Sequence, residues 1–483
     1  MSGRLAPIAG LDYQQPEPDP GVTPTVLETQ GRQVLNSRFR ALAAVMAFAT
    51  AALAGCGGDS GSGGSASVRL VNATLTHASI DLLANGDPVV GATLKNTVSE
   101  FADVEDGSPA LQVNDTATNA VLAVTAPTVS EDQKFALIAY ESGGAVRTAV
   151  ISEGTDLPPA NTAIVRVFNA ATDAGSIDVY ITDPAVDITT LSSPTFSFTA
   201  STSVQASNFA SFGAPGPLGA TYRIRVTGAG NPSDLRLDIP SVLLLNQRVA
   251  TVILTPTVGG TLANGSVLIE EGPDGAGGVY AATPNTSARV RLVAAATNGA
   301  SVSAVASPAS APIAIGTNVV APTVGTYVSV PSGSPISVTV DGAPITAPSA
   351  TLAAGSDSTL MVYGNLGSVT ATLIPDDNHL PTAANSYKLR LVNGLTGAAV
   401  PLSMDVNFGN VASNVQPGAA SPYSVLNQSV VTQISVTSPN SLVPIFPVPP
   451  NATIAIPGGA VFTLFMLGDA GPGNPIGVLR KDR

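Results

Sequence analysis

Tryptophan is absent from these 483 residues, cysteine occurs once and histidine twice. A single cysteine cannot close a disulfide within the chain, so its folded parts must hold by core burial alone, even in an oxidising compartment. Without tryptophan the strongest stacking surface for sugars is missing, and so is the buried Trp that pins antibody domains. The two histidines, His77 and His379, fall in different parts of the chain. Ser–His–Asp chemistry needs one His with oriented partners, and neither lies in a recognisable nucleophile motif. Charged residues make up only 11%, so the helix formers Glu, Lys and Arg are scarce. The net charge is −13, and residues 1–55 are themselves balanced, with four basic and four acidic side chains. A net-negative surface repels phosphate backbones, so nucleic acid is not an expected partner.

What the chain does have begins with one apolar run, Ala41–Ala54, "ALAAVMAFATAALA". It is shorter than the about 20 residues of a spanning helix. Arg38 and Arg40 precede it and small residues close it, the order of a secretory signal. The run ends in Leu53-Ala54-Gly55-Cys56, which resembles the bacterial lipobox. The resemblance implies cleavage between Gly55 and Cys56 and a diacylglyceryl group on the Cys56 thiol. The implied partner is a lipid bilayer. In that pattern Asp after the cysteine favours inner-membrane retention; here Gly57 follows, which points to the outer membrane. Residues 1–55 are therefore leader and signal, and a start near Val34 would give a signal of ordinary length. A Gly/Ser-rich tether, 56–66, follows, with a span of roughly 18 Å as a flexible coil.

Beyond the tether four segments open alike: "SVRLVNA", "IVRVFNA", "RVRLVAA" and "YKLRLVNG". Their arginines, Arg69, Arg166, Arg291 and Arg390, are 97, 125 and 99 residues apart, the length of whole domains. Each opening is followed by a second short strand, a turn, an alternating strand such as "YRIRVTG", and an apolar closing strand such as "KFALIAY". Val, Ile and Thr dominate, and Gly, Pro, Asn and Asp punctuate at short intervals. The expectation is an all-β chain of tandem immunoglobulin-like β-sandwiches, about seven strands each in two antiparallel sheets. The repeats are placed at 67–155, 163–272, 288–378 and 387–483, the last being the most diverged. The joints Thr155–Thr162, Gly272–Ser287 and Asp376–Ser386 are rich in Pro, Gly or polar residues, and Gly272–Ser287 is expected to be the most mobile.

The openings "VRLVNATLTHASIDLLANG" and "VRVFNAATDAGSIDVYITD" resemble the start of DUF4397 domains. These occur in tandem in bacterial secreted proteins and lipoproteins and have no established activity. The resemblance implies an extracytoplasmic β-sandwich module and brings no catalytic residues. It is good in the first two repeats, fair in the third, where Ala294 replaces Asn and Ser303 replaces Asp, and weak in the fourth.

Arg69 and Asp81 recur as Arg166 and Asp178, twelve residues apart both times. They are expected as a cross-strand ion pair of the fold, worth about 1 kcal/mol or less. "DDNH" at Asp376–His379 offers oxygen ligands but lacks calcium-loop spacing, so no metal and no cofactor is expected. "GPDGAGG" at Gly272–Gly278 lacks the lysine of a phosphate loop, and the C-terminal "LRKDR" reads as a solvated tail. The functional expectation is a non-enzymatic envelope lipoprotein with a structural, adhesive or surface-interaction role, contacting an envelope polymer or another surface protein. A glycan-binding module is the alternative.

Overall fold

The computed structural model describes residues 64–483 except 202, 274–277, 398–399, 442, 448–453 and 472–474. The leader, Cys56 and most of the tether lie outside the described residues. The first strand, Ser65–Ala73, begins inside the stretch expected as tether.

The chain is a tandem array of β-sandwiches, as the strand periodicity implies. In the first repeat one sheet runs Ala102–Glu105, Ser65–Ala73, Lys134–Ser142, Ala145–Glu153. The other runs Asp87–Leu94, Ser79–Ala84, Leu111–Asp115, Val121–Thr125. The same order returns in all the repeats, including the fourth, whose sequence is most diverged. The reason is that the opening motif specifies the centre of a sheet, and the divergence sits in its periphery.

One pairing differs from the antiparallel expectation. In every repeat the opening strand pairs in parallel with the apolar closing strand: Ser65–Ala73 with Lys134–Ser142, Thr162–Asn169 with Val249–Pro256, Ser287–Ala296 with Asp357–Gly364, and Ser386–Thr396 with Ala460–Asp469. Parallel strands need a long crossover and are characteristically covered on both faces. That accounts for their continuous apolar runs. Val249–Pro256, "VATVILTP", is buried at every position.

The cover on the second face is another repeat. Val68 and Leu70 point into the first sandwich, whereas Val71 and Ala73 point out of it and meet Phe168, Ile253 and Leu268 of the second. Repeats three and four meet in the same way, through Val293 and Met361 against Val392, Phe465 and Leu467. Each large side chain sealed there contributes about 1.5–3 kcal/mol of burial. The repeats therefore pack back to back in pairs, one with two and three with four.

The expected joints are more structured than their composition suggests. Val279–Thr283 adds a further strand to the second repeat, paired with Ala263–Glu271, so part of the segment expected to be most mobile is held in a sheet. The two pairs of repeats are held to each other by a close backbone approach: Gly259 N–H donates to Gly355 O at 2.9 Å, and Asn378 N–H to Gly259 O at 3.0 Å. A Cβ on Gly259 would lie 2.4 Å from the Asp357 nitrogen, so only glycine fits.

Candidate functional site

The four opening arginines share one environment. On a strand, alternate residues face opposite sides. Val68 and Leu70 face the sandwich core, so Arg69 faces the neighbouring repeat. Arg69 is 1% exposed and makes a two-point ion pair with Glu153, its Nε donating to Oε1 at 2.7 Å. Arg166 donates through Nη2 to Glu270 at 2.8 Å and, across the seam, to the Ser152 carbonyl at 2.7 Å.

In the second pair of repeats the partners are exchanged. Arg291 of repeat three pairs with Asp482 of repeat four, and Arg390 of repeat four pairs with Asp376 of repeat three. Asp376 is fully enclosed and also accepts from Tyr327 Oη at 2.5 Å and Thr359 Oγ1 at 2.7 Å. Burial pushes its carboxyl up, but Arg390 and Arg291 outweigh burial and hold it below the usual range. Glu153 is the opposite case: burial outweighs Arg69 and lifts its pKa to about 7.

Two further parts recur. An aromatic ring lies against each guanidinium: Phe101 at 4.8 Å from Arg69, Phe209 at 4.8 Å from Arg166, Tyr327 at 4.7 Å from Arg291 and Tyr423 at 4.6 Å from Arg390. Across the parallel ladder, Arg166, Arg291 and Arg390 stand beside Thr251, Thr359 and Thr463, each of which accepts from the arginine Nε. The first repeat has Ala136 there. Sequence reasoning found the arginines and missed their partners. The signal was present: an acid at or just past the end of the strand that follows each closing strand, in "ISEG", "IEEG", "IPDD" and "RKDR".

The expected pairs Arg69–Asp81 and Arg166–Asp178 are corrected by this geometry. The opening and second strands belong to different sheets, so the residues do not face each other. Asp81 accepts from the Ala92 amide at 2.6 Å and from Thr116 Oγ1 at 2.9 Å. Ala92 has a positive φ of 45° at a bulge in the neighbouring strand. Ser303 does the same for Asn318, accepting its amide at 2.8 Å where φ is 49°. This explains why Ser can stand for Asp in the third repeat: the position holds a bulge and needs an oxygen acceptor, not a charge. Asp178 accepts from Ser197 Oγ and the Gly230 amide.

The "DDNH" segment is a hub between repeats. Asp377 accepts from Lys388 Nζ at 2.5 Å and contacts His379 Nδ1 at 2.7 Å. Asn378 donates to Asp357 at 2.7 Å, and the His379 Nε2 lies 2.9 Å from the Thr257 carbonyl of repeat two. The Leu380 amide donates to Asp173 at 2.9 Å. Its carboxylates thus already face cations and amides of the chain, and among the described residues no group of three His, Cys, Asp or Glu converges as a metal site. His77 pairs with Asp115 at 2.8 Å on repeat one. The C-terminal segment is not a free tail: the Asp482 side chain is enclosed, and Arg483 donates to the Asp173 carbonyl. Gly55 and Cys56 lie outside the described residues. No helix among those residues is long and apolar enough to cross a membrane.

Among curated proteins, none matches the chain. The interval 66–180, which a family model matches, runs past the first sandwich into the second strand of the next, and so holds both Arg69 with its partner Glu153 and the equivalent Arg166. A DUF4397 domain, described as Domain of unknown function (DUF4397), is found at residues 66–180.

Proposed function

We propose that this chain is a non-enzymatic, lipid-anchored protein of the bacterial cell envelope, with a structural, adhesive or surface-interaction role. The observation that carries the reading is where the recurring charges go. The arginine of every repeat is answered by an acid at the seam between repeats, within its own repeat in the first pair and across to the other repeat in the second, and only Arg291 with Asp482 also borders a cleft. Such chemistry makes a stiff multi-domain body. The lipobox-like "LAGC" supports membrane anchorage through Cys56, and Gly57 supports the outer membrane as the destination.

The test is labelling of cells with a palmitate analogue, for the native chain and for Cys56→Ser, followed by membrane fractionation and protease shaving of intact cells. The native chain takes label and fractionates with outer membrane; Cys56→Ser takes none. Equal labelling of both would defeat the anchorage. The surface role is checked by comparing adhesion of cells with and without the protein, and unchanged adhesion and envelope integrity would count against it. The second reading, binding of an envelope or extracellular glycan, is favoured by one groove, described next.

A further inference from the structure

A groove of about 510 Å³ opens where repeats two, three and four meet. One wall is the start of strand Asn231–Leu244, the second is the edge strand Thr323–Pro331, and the third is the last strand Ile476–Lys481. It runs against the charge of the whole molecule. Four cations line it, Arg289, Arg291, Arg480 and Lys481, against two acids, Asp234 and Asp482. Both acids are already engaged, Asp234 with Arg236 and Asp482 with Arg291.

The remaining cations keep donors to spare. Arg480 and Lys481 are exposed, and neither has a carboxylate within ion-pair distance among the described residues. Arg480 gives one Nη2 hydrogen bond to the Val324 carbonyl at 3.2 Å, which holds the guanidinium along the groove wall. A guanidinium has five N–H donors, so most of its fork stays free. Arg289 lies over the Tyr327 ring, 4.5 Å from its centroid, and its contact with Asp357 is a long 3.5 Å. Desolvation, with Arg236 and Arg289 nearby, lowers the pKa of the half-buried Arg483 to about 10, against Asp357 and Asp173, which raise it.

Neutral hydrogen-bonding side chains stand among these cations. Asn231, Ser233 and Thr326 line the groove and are exposed. Guanidinium and ammonium groups recognise carboxylate, sulfate or phosphate oxygens, and amides and hydroxyls recognise sugar hydroxyls. A concave site between three walls fits a polymer strand better than a flat bilayer surface.

We propose that this groove binds an anionic polysaccharide, with Arg289, Arg480 and Lys481 taking its acidic groups and Asn231, Ser233 and Thr326 its hydroxyls. The inference rests on the glycan-binding reading and gives that reading a ligand class. It is tested on the purified protein by calorimetry with polygalacturonate and dextran sulfate, with neutral dextran, a single-stranded oligonucleotide and phosphatidylglycerol vesicles as comparisons. The expected result is binding to one of the acidic polymers and not to dextran, weakening as salt is raised. Arg480→Glu with Lys481→Glu should weaken it roughly tenfold or more, since two charge-assisted contacts are reversed. Both residues are exposed, so the variant should keep the native melting temperature; if it does not, Arg480→Gln with Lys481→Gln gives the same comparison. Unchanged affinity in the folded variant overturns the site. Equal binding of the oligonucleotide, or binding of vesicles alone, overturns the ligand class. Failure of every polymer to bind removes the glycan reading and leaves membrane anchorage, which palmitate labelling tests separately, untouched.

Discussion

Asp376 gathers charged and polar contacts from both the third and the fourth repeat. It lies on repeat three, yet it receives Arg390 from repeat four, Arg291 from its own repeat at 3.6 Å, and the hydroxyls of Tyr327 and Thr359. In the variant Asp376→Asn the shape survives and the charge goes. Two enclosed guanidinium groups are then left to share Asp482. At about 4 Å and an effective dielectric near 20, one lost charge–charge contact is worth about 4 kcal/mol. Removing one partner of a buried pair costs about 3–5 kcal/mol by the general record of such changes, so the two estimates agree. The assay is urea unfolding followed by tyrosine fluorescence, which no tryptophan masks here, with Tyr327 and Tyr423 stacked on the arginines concerned. Arg390→Met in the Asp376→Asn background completes a double-mutant cycle. Its coupling should be at least about 1.5 kcal/mol if the two residues act as a buried pair. A loss below about 1 kcal/mol in Asp376→Asn, the value of an ordinary surface pair, would refute the claim that this seam is held by exchanged charges.

Two further outcomes follow from the other seams. Glu153 has its pKa raised from 4.5 to about 7, so between those values the folded chain holds a proton that the unfolded chain has lost. Stability from this group is full below about pH 4.5 and declines as pH rises through 7, by about 3 kcal/mol, and Glu153→Gln should lose that slope; parallel urea midpoints for both proteins from pH 5 to pH 8 would contradict it. Gly259→Ala forces a Cβ against the Asp357 nitrogen and should destabilise by about 1–3 kcal/mol, with faster amide exchange at Gly259 and Asn378, whose hydrogen bonds cross that contact. Unchanged exchange there would show that the backbones can part without cost.

Periodicity and punctuation were enough to read strands, sandwiches and repeats, because those depend on local pattern. The opening motif carried most of that information. "VRLVNA" alternates Val68, Leu70 and Asn72 against Arg69, Val71 and Ala73, and both sets are apolar enough to be buried. Read alone, such a run cannot say what covers its second face. The Arg–Asp pairing failed for that reason: twelve residues of separation suits a hairpin, but the chain crosses between sheets after the opening strand, and no local signal marks the crossing. The true partner, 84 residues on at Glu153, becomes visible only when the ends of the repeats are aligned as carefully as their beginnings. The C-terminal "LRKDR" reads as a solvated tail because polar residues at a chain end usually are, yet its Asp482 is enclosed beside Arg291 of repeat three, and "DDNH" likewise bonds to groups of repeats two, three and four, because buried polar groups must be matched to partners.

The two seams solve one packing problem in different ways, and the difference bears on how the body holds together. Back-to-back sheets bring two arginines and two acids into one enclosed space. In the first pair of repeats each arginine keeps its own acid, Arg69 with Glu153 and Arg166 with Glu270, and the repeats share mainly apolar contacts and the Arg166 bond to Ser152. In the second pair Arg291 and Arg390 each take the acid of the other repeat. Separating repeats one and two leaves both ion pairs intact, so the main loss is apolar contact. Separating three and four also strips Arg390 and Asp482 of their partners. Charge exchange therefore makes the second seam the more specific of the two, since a displaced neighbour could restore apolar contact but not both ion pairs. The same exchange sets the last strand, Ile476–Lys481, firmly against repeat three, with Arg480 bonded to Val324, and so fixes two walls of the basic groove. A binding surface built from three separate sandwiches needs such fixing, because its cations come from different repeats and act together only if those repeats do not move apart.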